Sequence, residues 1–427
     1  MSNPLPTLPD LEQLKQAIRE DNAPLARRLL EQHPALQAGI NDPVAAFDSP
    51  LITTVRSPAM LDVLCAAGAD INARSRWWAG GFGLLDHASP ELAAYAIQHG
   101  AILDAHAASR LGLLPKLREL IAADPSLVHA RGGDGQTPLH FASTVAVAEF
   151  LLAQGADINA LDVDHESTPA QYMIRDRQEV CRYLVQRGCQ TDLFLAAAVG
   201  DADLVRRHLA ANPAAVGARV NDEYFPRQNP RSGGIIYHWT LGWHVSAHDV
   251  ARQFGQHDIF RLLMEHSPAD VKLLVACWAG DAATVHFLLA VQPDQRVEIT
   301  EATARHLVYA ARNNQTAAVR LLLGAGWPVD VRGPDGTTPL HWAAFHGNAE
   351  MARELLPGHP PLEATDTQHH GTPLGWAIYG SEYGWHCRSG DYPATVQALL
   401  QAGAKPPDKL AGTEAVQTII HSVTATG

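Results

Sequence analysis

Apolar positions along the chain recur in short helical stripes separated by Gly-, Pro- and Asp-rich turns. The segment LARRLLEQHP places Leu25, Leu29 and Leu30 on one face with Arg and Glu opposite, the 3.6-residue spacing of an amphipathic helix. The same grammar returns in ELAAYAIQHGA, LPKLRELIAADP, FLAAAVGDADLVRRHLAANP and TVQALLQAGA. No stretch approaches 18 uninterrupted apolar residues, so no membrane-spanning helix is expected. The pattern predicts an all-α chain of helix pairs joined by tight turns.

Two decapeptide-scale near-copies set the register: DGTTPLHWAA from Asp335 and DGQTPLHFA from Asp134. In each, Thr (Thr338, Thr137) stands where a hydroxyl can cap a helix and Pro (Pro339, Pro138) where its missing N–H costs nothing. The His (His341, His140) is positioned to tie the cap to a neighbouring backbone carbonyl. The copies start 338 − 137 = 201 residues apart, about six periods of a 33-residue repeat. Weaker copies are Thr168-Pro169-Ala170-Gln171, Thr372-Pro373-Leu374-Gly375 and Ser49-Pro50-Leu51, with Ser246-Ala247-His248-Asp249 in the same slot. Gly68-Ala69-Asp70 and Gly155-Ala156-Asp157 close second helices, where a left-handed residue favours Gly.

These motifs resemble the ankyrin-repeat family, over roughly residues 10–407. The resemblance implies one right-handed solenoid of about twelve helix-turn-helix repeats with short hairpin loops. It implies binding, mostly of other proteins, and says little about a particular site. The expected organisation is a Pro-rich lead (1–9), about seven repeats (10–221), an insertion (222–243), about five repeats (244–407) and a C-terminal capping segment (408–427). The insertion DEYFPRQNPRSGGIIYHWTLGW holds Tyr224, Phe225, Tyr237, Trp239 and Trp243, and so reads as a long ordered loop. A second aromatic insertion is expected near 380–393.

Charge narrows the partners. Thirty-two basic residues face 45 acidic ones, a formal balance of −13, with no clustered basic run. Nucleic acid and acidic membrane surfaces are therefore excluded as expected partners. Only five of the basic residues are Lys, which with abundant Ala reads as GC-rich, bacterial coding. Five cysteines without a CxxC pair read as reduced thiols, and the N-terminus shows no signal-peptide pattern, so a cytoplasmic monomer is expected.

No nucleophile or phosphate-binding motif is present. His244 and His248 lie four apart but lack the HExxH glutamate and a third ligand, and His369-His370 reads as a solvated pair; no metal and no cofactor is expected. Stacking of repeats would bring successive hairpin tips together. One edge would then carry Arg76, Trp77, Trp78, Arg131, Asp134, Asp162, Asp164, His165 and Glu166. The 222–243 loop could fold back onto it with Arg227, Arg231, Tyr237, His238 and Trp239, and Trp385 is a further binding candidate. This composition suits a protein-binding groove or a pocket for a small polar organic ligand such as a sugar. In an enzyme, Asp164 or Glu166 would act as general acid or base with His165 or His238 assisting. The bland alternative is that the Trp side chains plug the stack and the charges are solvated rim.

Overall fold

A computed structural model describes residues 8–291, 299–407 and 409–424. The first seven residues of the N-terminal lead, and Asp408 and 425–427 of the expected capping segment, lie outside the described residues. Within them the chain is all-helical, with no strand and three isolated antiparallel bridges. No helix among the described residues is long and apolar enough to cross a membrane.

The helices come in pairs, from Leu8–Arg19 with Ala23–Gln32 to Pro373–Tyr383 with Tyr392–Gln401, followed by Glu414–Thr424. The chain forms two compact bodies. The first comprises residues 1–195 and 225–240, the second 196–224 and 241–427. The first has a core that includes Leu14, Leu30, Ile52, Leu64 and Leu92; the second has one that includes Cys277, Leu307, Leu322, Met351 and Leu399. Small Ala residues at many inner positions (Ala93, Ala108, Ala197, Ala311, Ala344) let helices approach closely enough to bury both faces.

The turn before each first helix carries the repeat. Its key position, three residues before the Pro slot, is left-handed in every copy with this register: Phe47 (φ 59°), Gly135 (71°), Glu166 (49°), His244 (58°), Gly336 (76°) and His370 (53°). The His of the two intact copies works as a clamp. Nδ1 of His140 accepts from the Thr137 N–H at 3.1 Å while Nε2–H donates to the Ser167 carbonyl of the next hairpin at 3.1 Å. His341 repeats this with the Thr338 N–H (3.0 Å) and the Gly371 carbonyl (3.1 Å). The Thr hydroxyls of these copies face the same Nδ1, at 3.0 and 2.8 Å, in place of the helical N–H expected from sequence. In the degenerate copies the hydroxyl does cap: Thr168 Oγ1 accepts from Gln171 N–H and Thr372 Oγ1 from Gly375 N–H. Asp249 replaces the clamp His in its copy, accepting from the Ser246 N–H (2.9 Å) and hydroxyl (2.7 Å).

Candidate functional site

In the first body, two hairpin tips and the 225–240 stretch converge. The tip at 131–135 is stapled by the Arg131 guanidinium, which donates to the carbonyls of Gly135 and Leu161. The next tip is built around Asp162, whose buried carboxylate accepts from His165 N–H (2.8 Å), Ser167 N–H (2.7 Å) and the Tyr172 hydroxyl (2.9 Å). That turn sends the side chains of Asp164 and His165 toward Asp134. His165 Nε2 lies 3.5 Å from Asp164 Oδ2 and 4.0 Å from Asp134 Oδ2. Burial raises the Asp134 carboxyl to about 6, against the opposing pull of His165 and with help from Asp164 and Asp162. Burial likewise raises Asp162, although its backbone donors oppose the shift.

The 225–240 stretch is fastened to this tip. The Ser232 hydroxyl donates to the Asp164 carbonyl at 2.6 Å, and Gly233 N–H donates to the same carbonyl at 2.9 Å. The His165 Nδ1–H donates to the Gly234 carbonyl at 2.9 Å. Gly233 suits the closeness of the fit, since a Cβ there would stand 3.0 Å from the imidazole and push it aside. Glu166 completes the clamp: its two oxygens accept the N–H groups of Gln228 (2.8 Å) and Asn229 (2.7 Å). A general acid or base must be free to trade its proton, and Glu166 is already engaged at both oxygens. Its sequence-based role as acid or base gives way to a structural one.

The other expected site residues divide between edge and core. Trp77 packs edge-on against Phe47, with ring centroids 5.0 Å apart, and Arg231 lies over the face of Trp78 at 4.5 Å. Arg76 is exposed, and its backbone N–H donates to the Asp48 carbonyl. Arg227 donates to the Ser232 carbonyl and so braces its own loop. Trp239 is 65% exposed. Tyr237 belongs to the core: it is fully buried, packs near Phe194 and Phe225, and donates to Asp192 at 2.9 Å. His238 is buried as well. In this helical turn Tyr237 and His238 point inward and Trp239 outward, a choice the aromatic pattern alone does not reveal. In the second body, His244 stacks on Tyr309 (3.3 Å between centroids) while His248 is buried and bonds Ser267 Oγ, so the two imidazoles are committed to different neighbours.

Exchanging Glu166 for Gly tests the clamp. A non-Gly residue in the left-handed region costs about 1 kcal/mol, and each hydrogen bond to a charged group contributes roughly 1.5–3 kcal/mol. Glu166→Gly is therefore expected to relieve the turn yet release the loop, so that trypsin cuts after Arg227 and Arg231 at least tenfold faster. Unchanged cleavage would show the clamp to be dispensable.

Trp385 lies in the second body, on the turn after Pro373–Tyr383, and is 62% exposed. It forms one wall of a cleft of about 550 Å³ lined by Trp342, Phe345, Trp376, Tyr379 and His369 together with Gly371 and Gly375. Phe345 meets Trp385 and Trp376 edge-on at 5.2 and 5.6 Å, and Trp342 meets Trp376 at 5.2 Å and 82°. Two indoles are pinned by their N–H groups, Trp342 to Thr337 Oγ1 (3.1 Å) and Trp376 to Asp366 Oδ2 (3.0 Å). Trp342 and Trp376 were missed in the sequence because they sit at repeat positions that read as core. The aromatic spacing Trp342, Phe345, Trp376, Tyr379, one pair per successive repeat, was the available signal.

The family described as ankyrin repeats (3 copies) matches residues 105–194 and 307–410. The first match contains both hairpin tips of the acidic cluster, the second the whole aromatic cleft. A stretch of 119 residues, 28% of the chain, is 30% identical to palmitoyltransferase Hip14 of Drosophila melanogaster and covers 17% of that protein. A stretch of 49 residues, 11% of the chain, is 51% identical to the serine/threonine-protein kinase VIK of Arabidopsis thaliana and covers 11% of it. The chain thus spans less than a fifth of the length of either relative. With the helix pairs, the His clamps and the recurrent left-handed turn, these matches identify ankyrin repeats over residues 105–194 and 307–410.

Proposed function

We propose that the protein is a recognition module that holds a protein partner, with the aromatic cleft of the second body as its principal grip. The observation that carries this reading is the cleft itself. Rigid indole and phenyl faces, two of them pinned by hydrogen bonds, surround a volume that takes a large apolar side chain. Aromatic side chains supply contact area at little entropic cost, and such anchored pockets carry most of the energy in protein interfaces. Tyr379 and Tyr383 extend the surface beyond the cleft, 5.1 Å apart and both exposed. The Trp77, Trp78 and Arg231 edge of the first body supports the same kind of use, through a smaller aromatic and cationic patch.

The test is a peptide library displayed against the full chain. Enriched peptides should share an aromatic or long aliphatic anchor, and Trp385→Ala should weaken their binding by tenfold or more, the scale of an interface hot spot. Ile102→Ala, at an exposed side chain of the first body, should leave that binding unchanged. Enrichment of peptides indifferent to Trp385→Ala would remove the cleft from the proposal.

A further inference from the structure

The Asp134, Asp164 and His165 side chains present three potential ligand atoms within 4.8 Å of one another. The imidazole is the informative member. Its Nδ1–H is spent on the Gly234 carbonyl, which leaves Nε2 as the lone-pair nitrogen of the neutral ring. His165 is only 9% exposed, and its Nε2 makes no hydrogen bond within the protein. It points at two carboxylate oxygens, 3.5 and 4.0 Å away. A lone pair facing two anions across such a gap is repulsive unless a cation lies among them.

A proton on Nε2 would draw a carboxylate in to about 2.7–2.9 Å, the length of a charge-assisted bond. The observed separations are longer. Two ligands bound tetrahedrally at 2.0–2.1 Å from one ion stand about 3.4 Å apart, close to the 3.5 Å seen here. The surroundings fit as well. Asp164 Oδ1 accepts from Gly233 N–H at 3.3 Å, a bond that would orient a ligating carboxylate. Trp77 Nε1 is buried beside Asp134, and the indole N–H helps to hold that carboxyl down.

We propose that these three side chains bind one divalent transition ion, Zn²⁺ or Mn²⁺. One nitrogen and two carboxylate oxygens form a borderline donor set that suits those ions, whereas Ca²⁺ takes six to eight oxygens. Two negative charges are cancelled by the ion, which removes the cost of holding both acids out of water. Three protein ligands leave at least one coordination position for water or an exogenous donor, and the ion joins hairpin tips 131–135 and 162–167. This site is independent of the aromatic cleft, and either proposal stands without the other.

The experiment uses the untagged full chain, stripped with a chelator, reloaded with Zn²⁺ or Mn²⁺ and desalted. Elemental analysis should find about one equivalent, and the loaded protein should melt several degrees higher than the stripped one. Asp134→Asn and His165→Gln should each lose the ion and the melting shift, while His370→Gln, at an exposed hairpin of the second body, keeps both. Circular dichroism identifies a variant that fails to fold; should His165→Gln do so, Asp134→Asn decides. Less than about a tenth of an equivalent of either metal in the natural sequence overturns the proposal. So does equal loading of the natural sequence and Asp134→Asn.

Discussion

Lowering the pH from 7 to 4 is expected to unfold the protein, because several histidines are buried in the neutral form. Burial depresses His140 to about 3, and His248 and His346 to about 4, with carbonyl acceptors or acidic neighbours opposing the shift in part. His87, His306 and His341 are depressed for the same leading reason. An unfolded histidine titrates near 6.5, so between that value and the folded one the unfolded chain binds more protons. Stability then falls as pH drops through this window and is fully present only above about 6.5. The full displacement of His140 to pH 4 corresponds to roughly 3 kcal/mol, and the three quantified residues together to something on the order of 5–10 kcal/mol. That matches the whole stability of a typical domain. Asp134 and Asp162, raised by burial, act in the opposite sense as pH falls toward 3.8, but they are outnumbered. Thermal melts by circular dichroism at half-unit steps would show the midpoint collapsing between pH 6.5 and 4. A midpoint unchanged down to pH 4.5 would contradict the clamp geometry.

Replacing Asp366 with Ala is expected to cost about 3–5 kcal/mol and to disable the aromatic cleft at once. The buried carboxylate accepts from the N–H groups of Gln368 (2.8 Å), His369 (2.7 Å) and Gly371 (2.9 Å) and from the Trp376 indole. Burial alone would raise this carboxyl. The His369, Trp376, Gly371 and Gln368 donors outweigh it and hold the group well below the ordinary carboxylate range. Its stabilisation is therefore present above the usual carboxylate pKa and is lost only in strong acid, so the histidines yield first. Removing the carboxylate strands three backbone donors and frees one wall of the cleft. Denaturant titration should show the loss, and selected peptides should bind at least tenfold more weakly even where the protein remains folded. Asp366→Asn, which keeps an acceptor, should fall between the two.

The repeat grammar was legible because it is chemistry repeated at fixed offsets. Thr, Pro, His and a left-handed residue each have one favourable place in the turn; the left-handed residue recurs in all six copies and the full Thr-Pro-Leu-His set in two. The neighbourhood of Asp134, Asp164 and His165 followed from that periodicity alone. What individual atoms do there did not follow. Glu166 looked like a catalytic carboxylate because its type is visible and its partners, 62 and 63 residues away, are not. Tyr237 looked like a site residue because an aromatic in a loop can face either way, and only its bond to Asp192 reveals the inward choice. The cleft was half seen. Trp385 stood out on a turn, whereas Trp342 and Trp376 occupy helical slots where apolar residues need no explanation.

The covalent path through the two bodies has a practical outcome. The polypeptide passes from one to the other after Leu195, returns at Phe225 and leaves again after Thr240. No single scission can liberate either half whole: a piece ending at residue 195 forfeits its own lacing of 225–240, and one ending at 240 drags along orphaned helices. Supplying 225–240 as a separate peptide to the 1–195 fragment should restore what truncation removes, as complementation does for split proteins.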